Sequence, residues 1–393
     1  MRFLTISWML VFIVGFGLIR AQNLVPNHNF DLTKDCPFDR GLIEFAEPWF
    51  SANGRTTDLA HECANLNGNT GMPTNRWGNQ VAVEGRGYAG IRTWFASGGI
   101  TGSRPYREYV AAPLDQALEA GETYFLQFFA NPGESAKWVT DDIGLALVDS
   151  IPGPMDVYFF QPALANQPQR YLDNFDFWYE ISGTYVANGT EKVVIIGNFL
   201  DDPQTSVREG NQLSTDSLFE STYLFVDAVS VVPCRALFPD SLLVSDKTSL
   251  CPGESLPIRL HPEVLYDEIR WSNGSTQPQI TASLAGWYEI EVEYKGCMAK
   301  DSIEIETFDE PIVDLGADVS ICPGEEVRLE SLEPPAGNYL WSNGETSESI
   351  LISEAGTYRL EVEADGCTGS DEIDVSYLSP PNSAIGFDST LCE

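Results

Sequence analysis

Histidine is nearly absent from this chain: His28, His61 and His261 are the only three in 393 residues. None lies in an HExxH spacing, and neither a G-x-S-x-G elbow nor a phosphate-cradling glycine loop occurs. Zinc-protease, serine-hydrolase and nucleotide chemistries therefore have no local signature. Basic residues are scarce too. Twenty-two Lys and Arg stand against 58 Asp and Glu, a net charge of -36, and a surface this acidic repels phosphate backbones and anionic headgroups. That argues against nucleic acid as a partner. Long helical periods are also missing. Short apolar runs rich in Val, Ile, Tyr, Phe and Thr recur between Gly, Pro, Asn and Asp, the pattern of an all-β protein.

What is present is enough apolar material for sizeable cores. Hydrophobic residues make up 43% of the chain and aromatics 11%, so it is not a disordered protein, and its length suggests two or three domains. The N-terminus has Arg2, an uncharged, predominantly apolar run from Phe3 to Ile19 and a small residue at Ala21. This is the layout of a secretory signal peptide over residues 1–21; an uncleaved anchor is the alternative reading. No second apolar stretch could span a bilayer, so the mature chain is expected to be exported, secreted or held at the cell surface. Export permits disulfides, and eight cysteines then need partners.

The two halves differ in texture. Cut after Pro239, the chain has 27 acidic and 15 basic residues before the cut and 31 against 7 after it. The C-terminal part is a tandem repeat. "SLCPGESLPIRL" at 249 matches "SICPGEEVRLE" at 320, "IRWSNGSTQ" at 269 matches "YLWSNGETS" at 339, and "LAGWYEIEVEYKGC" at 284 matches "EAGTYRLEVEADGC" at 354. The period is 70 residues, from Trp271 to Trp341 and from Cys297 to Cys367. Copy one spans 240–311 and copy two 312–380. "DSTLCE" then repeats the opening of a third copy, 381–393, and the reading predicts that the chain stops a few residues into it. In each copy Tyr, Ile, Leu and Val alternate with Glu, as in "WYEIEVEY", so one strand face packs and the other is solvated. The "SNG" triplets supply tight-turn residues. About 70 residues of such strands make a small sandwich.

"CPGE", "WSNG", "AGTY" and "DGC", in that order, resemble the bacterial immunoglobulin-like and PKD-like repeats of large secreted surface proteins, including those associated with gliding motility and type IX secretion. The resemblance covers residues 240–378 and implies a stalk or spacer. Residues 22–239 resemble, in the order of their phrases, the galactose-binding-like jelly roll of many carbohydrate-binding modules. The phrases are the opening "NLVPNHNFD", the Trp of "AEPWF", "PLDQALEAGETYFLQFFA", "FWYEISGTYVANGTEKVVIIGNF" and the closing "YLFVDAVSVV". The closing strand departs from the family in having one acidic residue, Asp227, where two are usual. The expected fold is thus an all-β jelly-roll sandwich followed by tandem Ig-like sandwiches. The resemblance implies a glycan-binding or adhesive head without catalytic residues. It also implies a structural calcium ion shared by Asp31 of the opening motif and Asp227 of the closing strand, with Asn29 and backbone carbonyls completing the shell.

Within the head, "GNQVAVEGRGYAGIRTWFASGG" alternates so that Ala89, Ile91, Thr93 and Phe95 point one way and Tyr88, Gly90, Arg92 and Trp94 the other. An indole and a phenol flanking a guanidinium would offer a sugar a stacking platform, with Trp77 bordering it from a loop. The competing reading packs Tyr88 and Trp94 beneath the other sheet, with Arg92 reaching to water. Cysteine spacing pairs Cys36 with Cys63, Cys251 with Cys297 and Cys322 with Cys367, one bridge closing each copy; Cys234 and Cys392 have no assigned partner. His61 next to Cys63 could start a zinc site, but no second pair follows and the cysteine serves a disulfide better. Two other functions stay open, a glycoside hydrolase with appended repeats and a spacer without a sugar ligand. The oligomeric state is not legible.

Overall fold

In the computed structural model, residues 23–65, 68–96, 105–210 and 220–378 are described. The expected signal peptide and the start of the third copy lie outside them. Apart from two single-turn 3-10 segments, Ile43–Phe45 and Cys234–Leu237, every described element is a strand. The strands divide into two compact units, one comprising residues up to 240 with 265–268 and 292–299, the other the rest.

The head contributes β1 (Phe50–Ser51), β2 (Asp58–His61), β3 (Gly87–Phe95), β4 (Val110–Pro113), β5 (Thr123–Pro132), β6 (Trp138–Thr140), β7 (Gly144–Val148), β8 (Leu164–Ala165), β9 (Tyr179–Val186), β10 (Val193–Gly197), β11 (Val207–Glu209) and β12 (Ser221–Pro233). Five strands pair in the order β1-β4-β10-β7-β8. Seven form the second sheet, β11-β6-β12-β3-β2, with β5 pairing both β12 and β9. Ile91, Leu224 and Val226 from one sheet bury with Val194, Ile196 and Leu145 from the other, the interdigitated core of a β-sandwich. All thirteen residues of β12 are buried. A strand covered on one face only would alternate, so the second face of this sheet is covered as well, and that cover is where the sequence placed its ligand platform.

The second unit holds copy one apart from residues 265–268 and 292–299; the copy is built from β13 (Leu243–Val244), β14 (Ser249–Leu250), β15 (Leu256–Leu260), β16 (Glu268–Trp271), β17 (Gln279–Ala282), β18 (Gly286–Tyr294) and β19 (Cys297–Thr307). It also holds copy two, with β20 (Val319–Ile321), β21 (Val327–Glu330), β22 (Asn338–Trp341), β23 (Ser349–Ile352), β24 (Gly356–Ala364) and β25 (Cys367–Tyr377). Each copy has a four-stranded sheet, β14-β19-β18-β16 and β20-β25-β24-β22, facing a smaller one. The repeated motifs are structural, because each makes the same contact twice. The Cys251 and Cys322 amides donate to Glu254 and Glu325 of "CPGE" at 3.0 and 2.9 Å. The Trp271 and Trp341 indoles each donate to a carbonyl six residues on, at 2.8 Å. The Tyr288 and Tyr358 hydroxyls reach back four residues to Leu284 and Glu354, at 3.0 and 3.1 Å. Gly274 and Gly344 close the "SNG" turns with φ of 84° and 89°, a region costly for residues with a Cβ.

The disulfides correct the expectation for the repeats. Cys36–Cys63 is present as expected, but Cys234 is bonded to Cys297 and Cys251 to Cys367. Cys322 is disulfide-bonded, and not to Cys367. Strand register explains why a bridge within each copy fails. Ile321 lies opposite Tyr377 in a parallel pair, so Cys322 sits at the far end of β25 from Cys367, which begins that strand. Eleven extended residues span about 33 Å, whereas bridged Cα atoms lie about 4.4–6.8 Å apart. Leu250 opposite Thr307 sets the same register in copy one. The Cys251–Cys367 bridge instead ties the opening of copy one to the closing strand of copy two. Beside it, Gly369 must lack a side chain, since a Cβ there would sit 1.8 Å from the Pro311 carbonyl oxygen. The Cys234–Cys297 bridge belongs to the head unit, where it buries against Phe125. There the Lys295 ammonium lies 5.1 Å from the Phe125 ring centroid.

Candidate functional site

β3 crosses the middle of the seven-stranded sheet, and its side chains define the site. Ala89 and Ile91 enter the sandwich core. Tyr88 goes to the other face, where it clusters with Trp77, Met72, Ala136, Tyr223 and Phe225. The sheet bulges at the end of β3. Tyr223 pairs with Arg92 but Thr222 pairs with Trp94, leaving Thr93 extra. A bulge reverses the phase of alternation beyond it. Phe95, not Trp94, therefore shares the face of Arg92, as the 5.4 Å from the guanidinium to the Phe95 ring shows. Trp94 instead lies on the side of Thr222, half-exposed, edge-on to Trp138 with ring centroids 5.8 Å apart. The expected four-residue face of Tyr88, Gly90, Arg92 and Trp94 is thus broken at its last member.

The Tyr88 side of the sheet is roofed by the segment 68–84. Trp77 stacks on Tyr223 at 3.9 Å, and its indole donates to Asp58 Oδ2 at 3.1 Å. Asn75 donates to the Tyr88 hydroxyl at 2.8 Å, which donates to the Gln80 carbonyl at 3.2 Å. Trp178 donates to the Val81 carbonyl at 2.9 Å. Tyr88 is fully buried and Trp77 is 3% exposed, so neither meets solvent. Tyr88 is covered by this segment, to which Trp77 itself belongs, and not by the opposite sheet. Gly90 leaves the space that Tyr223 fills, because a Cβ there would lie 2.0 Å from the tyrosine oxygen.

Beneath the roof two carboxylates share one guanidinium. Asp58 accepts from Tyr223 Oη at 2.6 Å and from the Gly41 amide at 2.7 Å. Glu108 accepts the Arg92 amide at 2.8 Å through Oε2, and Thr56 Oγ1 and Tyr106 Oη at 2.8 and 2.9 Å through Oε1. Arg92 Nη1 lies 3.9 Å from Glu108 Oε1, and the guanidinium sits 5.1 and 5.4 Å from the Trp77 and Tyr106 rings. Burial raises the pKa of Asp58 above the usual carboxylate range. It pushes Glu108 up to about 7, with Arg92 acting in the opposite direction and Asp58 adding to the rise. A raised carboxyl in a cleft is one mark of a general acid. Here every carboxylate oxygen is occupied by a donor of the protein itself, and both residues are buried. The sequence held no signal for this pair, since Asp58 and Glu108 are 50 residues apart and lie in no motif.

The calcium expectation meets a different arrangement. Asp227 Oδ2 accepts the Val83 and Glu84 amides at 2.7 and 3.2 Å, and Oδ1 accepts the Ala228 amide at 2.7 Å. Asp31 Oδ1 accepts Arg86 Nε at 2.9 Å, and Asn29 Oδ1 accepts the Asp31 amide at 3.4 Å. The two aspartates thus brace opposite ends of one turn, 83–86. Oxygens turned toward N–H protons are poor cation ligands, and calcium wants six to eight oxygens. Among the described residues no group of three His, Cys, Asp or Glu gathers to hold a metal. These donors do not fit the ion. His61, the zinc candidate, accepts the Cys63 amide at 3.2 Å, and Cys63 is in its disulfide.

No protein-family model and no curated protein matches the chain. Among solved structures it is similar to the first cleaved adhesin domain of Lys-gingipain from Porphyromonas gingivalis, at 12% identity over 52% of this chain and 95% of that one, TM-score 0.27. It is similar to a xylan-binding domain from Paenibacillus barcinonensis, at 9% identity over 52% and 91%, TM-score 0.28. It is also similar to a three-immunoglobulin-domain fragment of titin, at 12% identity over 41% and 80%, TM-score 0.21. Likeness at this level speaks at most to the all-β fold.

Proposed function

We propose that the protein is a secreted or surface-held, non-enzymatic recognition protein, its jelly-roll head binding glycan and its Ig-like copies serving as an acidic stalk. The observation that carries this reading is the wiring of Asp58 and Glu108. Among the described residues this buried, pKa-raised pair has each oxygen bonded internally, which favours a framework over an acid and base facing a substrate. What remains open at the end of β3 is aromatic. Trp94 and Trp138 are half-exposed and held edge to face, and Trp138 Nε1 is anchored to Glu220 at 3.1 Å. Rings fixed in this way suit the apolar C–H face of a sugar.

Export is supported by the three disulfides of the described residues, which persist in oxidising compartments. None of the described helices is long and apolar enough to cross a membrane. Adhesion, with gliding-motility association as its narrower form, is the role that such a head on such a stalk would fill. The test is affinity electrophoresis of the full chain through gels holding plant or marine polysaccharides, with Trp94→Ala and Trp138→Ala variants alongside. Retardation lost in both folded variants supports the reading. Hydrolysis of any of these polymers, abolished by Glu108→Gln, would replace it with the glycosidase reading.

A further inference from the structure

A second concave site lies on the head beside Tyr106, the ring that also borders Arg92 and Phe95 of β3. The loops around Asn53, Arg55, Pro105 and residues 154–159 line an open pocket of about 590 Å3, within the roughly 300–1,000 Å3 range of small-ligand sites. Its walls are apolar and open: Phe159 is 66% exposed and Met155 46%. Its polar groups are fixed in place. The Arg55 guanidinium lies 4.3 Å over the Tyr106 ring and is paired with Asp156. Asn53 holds the floor, donating from Nδ2 to the Arg107 and Met155 carbonyls at 3.0 and 3.2 Å. Its Oδ1 is buried without a hydrogen-bond partner, a condition that costs about 1–3 kcal/mol. Tyr158 locks the rim from beneath, its single hydroxyl proton shared between the Ala52 and Gly153 carbonyls, each 2.8 Å away.

We infer that this pocket binds a single neutral sugar residue, an inference that rests on the reading of the head as glycan-binding. A donor fork and an acceptor carboxylate side by side match vicinal hydroxyls, each of which both donates and accepts. Phe159 and Met155 match the C–H face of the ring. Asp156 and the excess of 27 acidic over 13 basic residues in 22–239 disfavour an anionic sugar. Phe159, Arg55 and Asp156 together present one apolar face and one polar edge, the complement of a single sugar ring.

Methionine is rare enough to report on this site directly. In full-length protein labelled with [13C-methyl]methionine, Met155 lines the pocket, while Met72 belongs to the roof over β3 and Met298 to copy one. Neutral methyl glycosides (gluco, galacto, xylo, manno) are titrated to the order of 10 mM, the range of weak single-residue contacts. The expected result is a saturable shift of Met155 with at least one sugar, without shifts of Met72 or Met298. Phe159→Ala and Arg55→Ala are each expected to weaken it several-fold. Phe159 is exposed, so its replacement leaves the fold intact. No Met155 shift while polysaccharide gels still retard the protein overturns the pocket and spares the glycan-binding reading. No response in either assay overturns both. Tighter binding of glucuronate than of any neutral glycoside overturns the assignment of ligand class.

Discussion

Replacing Cys251 by serine distinguishes two wirings of the stalk that the 70-residue period leaves equivalent. The structure bonds Cys251 to Cys367, closing 116 residues, and the chain-entropy relation assigns such a loop about 4.8 kcal/mol at 25 °C. A bridge from Cys251 to Cys297 would close 46 residues and be worth about 4.0 kcal/mol. The stability loss therefore cannot separate the two, but the released thiol can. In Cys251→Ser, alkylation of the denatured, unreduced chain is expected to label Cys367 and leave the Cys234–Cys297 peptide intact. The melting temperature of the repeats should fall by roughly 10–20 °C, at about 2–4 °C per kcal/mol for a unit of this size. Label on Cys297 would refute the register argument, because it would bring together residues that the pairing of Leu250 with Thr307 holds a strand length apart.

Three further outcomes follow from the head. Glu108, pushed up to about 7 by burial, binds more protons in the folded than in the unfolded state between its ordinary pKa and that value. Its stabilising effect is complete below its unfolded pKa and is lost as pH rises through 7. The shift corresponds to an upper bound on the order of 3 kcal/mol, so thermal melts at pH 5 and pH 8 should differ in the native head and differ less in Glu108→Gln; an equal difference would exclude Glu108 as the source. Chelator should leave the head's melting temperature unchanged, since Asp227 and Asp31 are satisfied by amides and Arg86; a fall of several degrees would reinstate the calcium ion. Trp77→Ala should cost about 3–5 kcal/mol, as expected for a buried indole, whereas Trp94→Ala, half-exposed, should cost much less in urea unfolding.

The repeats were the more legible half, and the reason is local. Each motif bonds within a few residues of itself: Trp271 to a carbonyl six residues on, Tyr288 to one four back, Cys251 to Glu254 three on. Interactions of that range leave a periodic trace in one sequence. The disulfides do not, because the spacing of cysteines within a copy is the same whether each bonds inside its copy or across to another. Only the parallel pairing of the first strand with the last, a contact 57 residues apart in sequence between Leu250 and Thr307, places the two cysteines of one copy at opposite ends of a strand.

The head was legible as far as alternation holds. Ala89 and Ile91 are in the core and Tyr88 and Arg92 on the other face, as period two requires. The bulge opposite Thr222 and Tyr223 has no sequence marker in "GIRTWF", since neither glycine nor proline stands at the extra residue, and it sends Trp94 away from Arg92. The roof was hidden for a different reason. Loop 68–84 is rich in Gly, Asn and Pro, a composition that reads as exposed turn, yet Trp77 and Met72 in it bury like core residues. The consequence bears on function. A sheet face that needs a Trp lid stacked 3.9 Å above Tyr223 to cover Asp58 and Glu108 has exchanged an open platform for a sealed polar network. On the proposed reading, recognition then falls to groups the lid leaves outside, among them Trp94 with Trp138 at one place and Arg55, Asp156 and Phe159 at another. Opening the lid with Trp77→Ala should therefore change stability first. Glycan retardation that survives in the folded fraction of that variant would show that the covered face takes no part in binding.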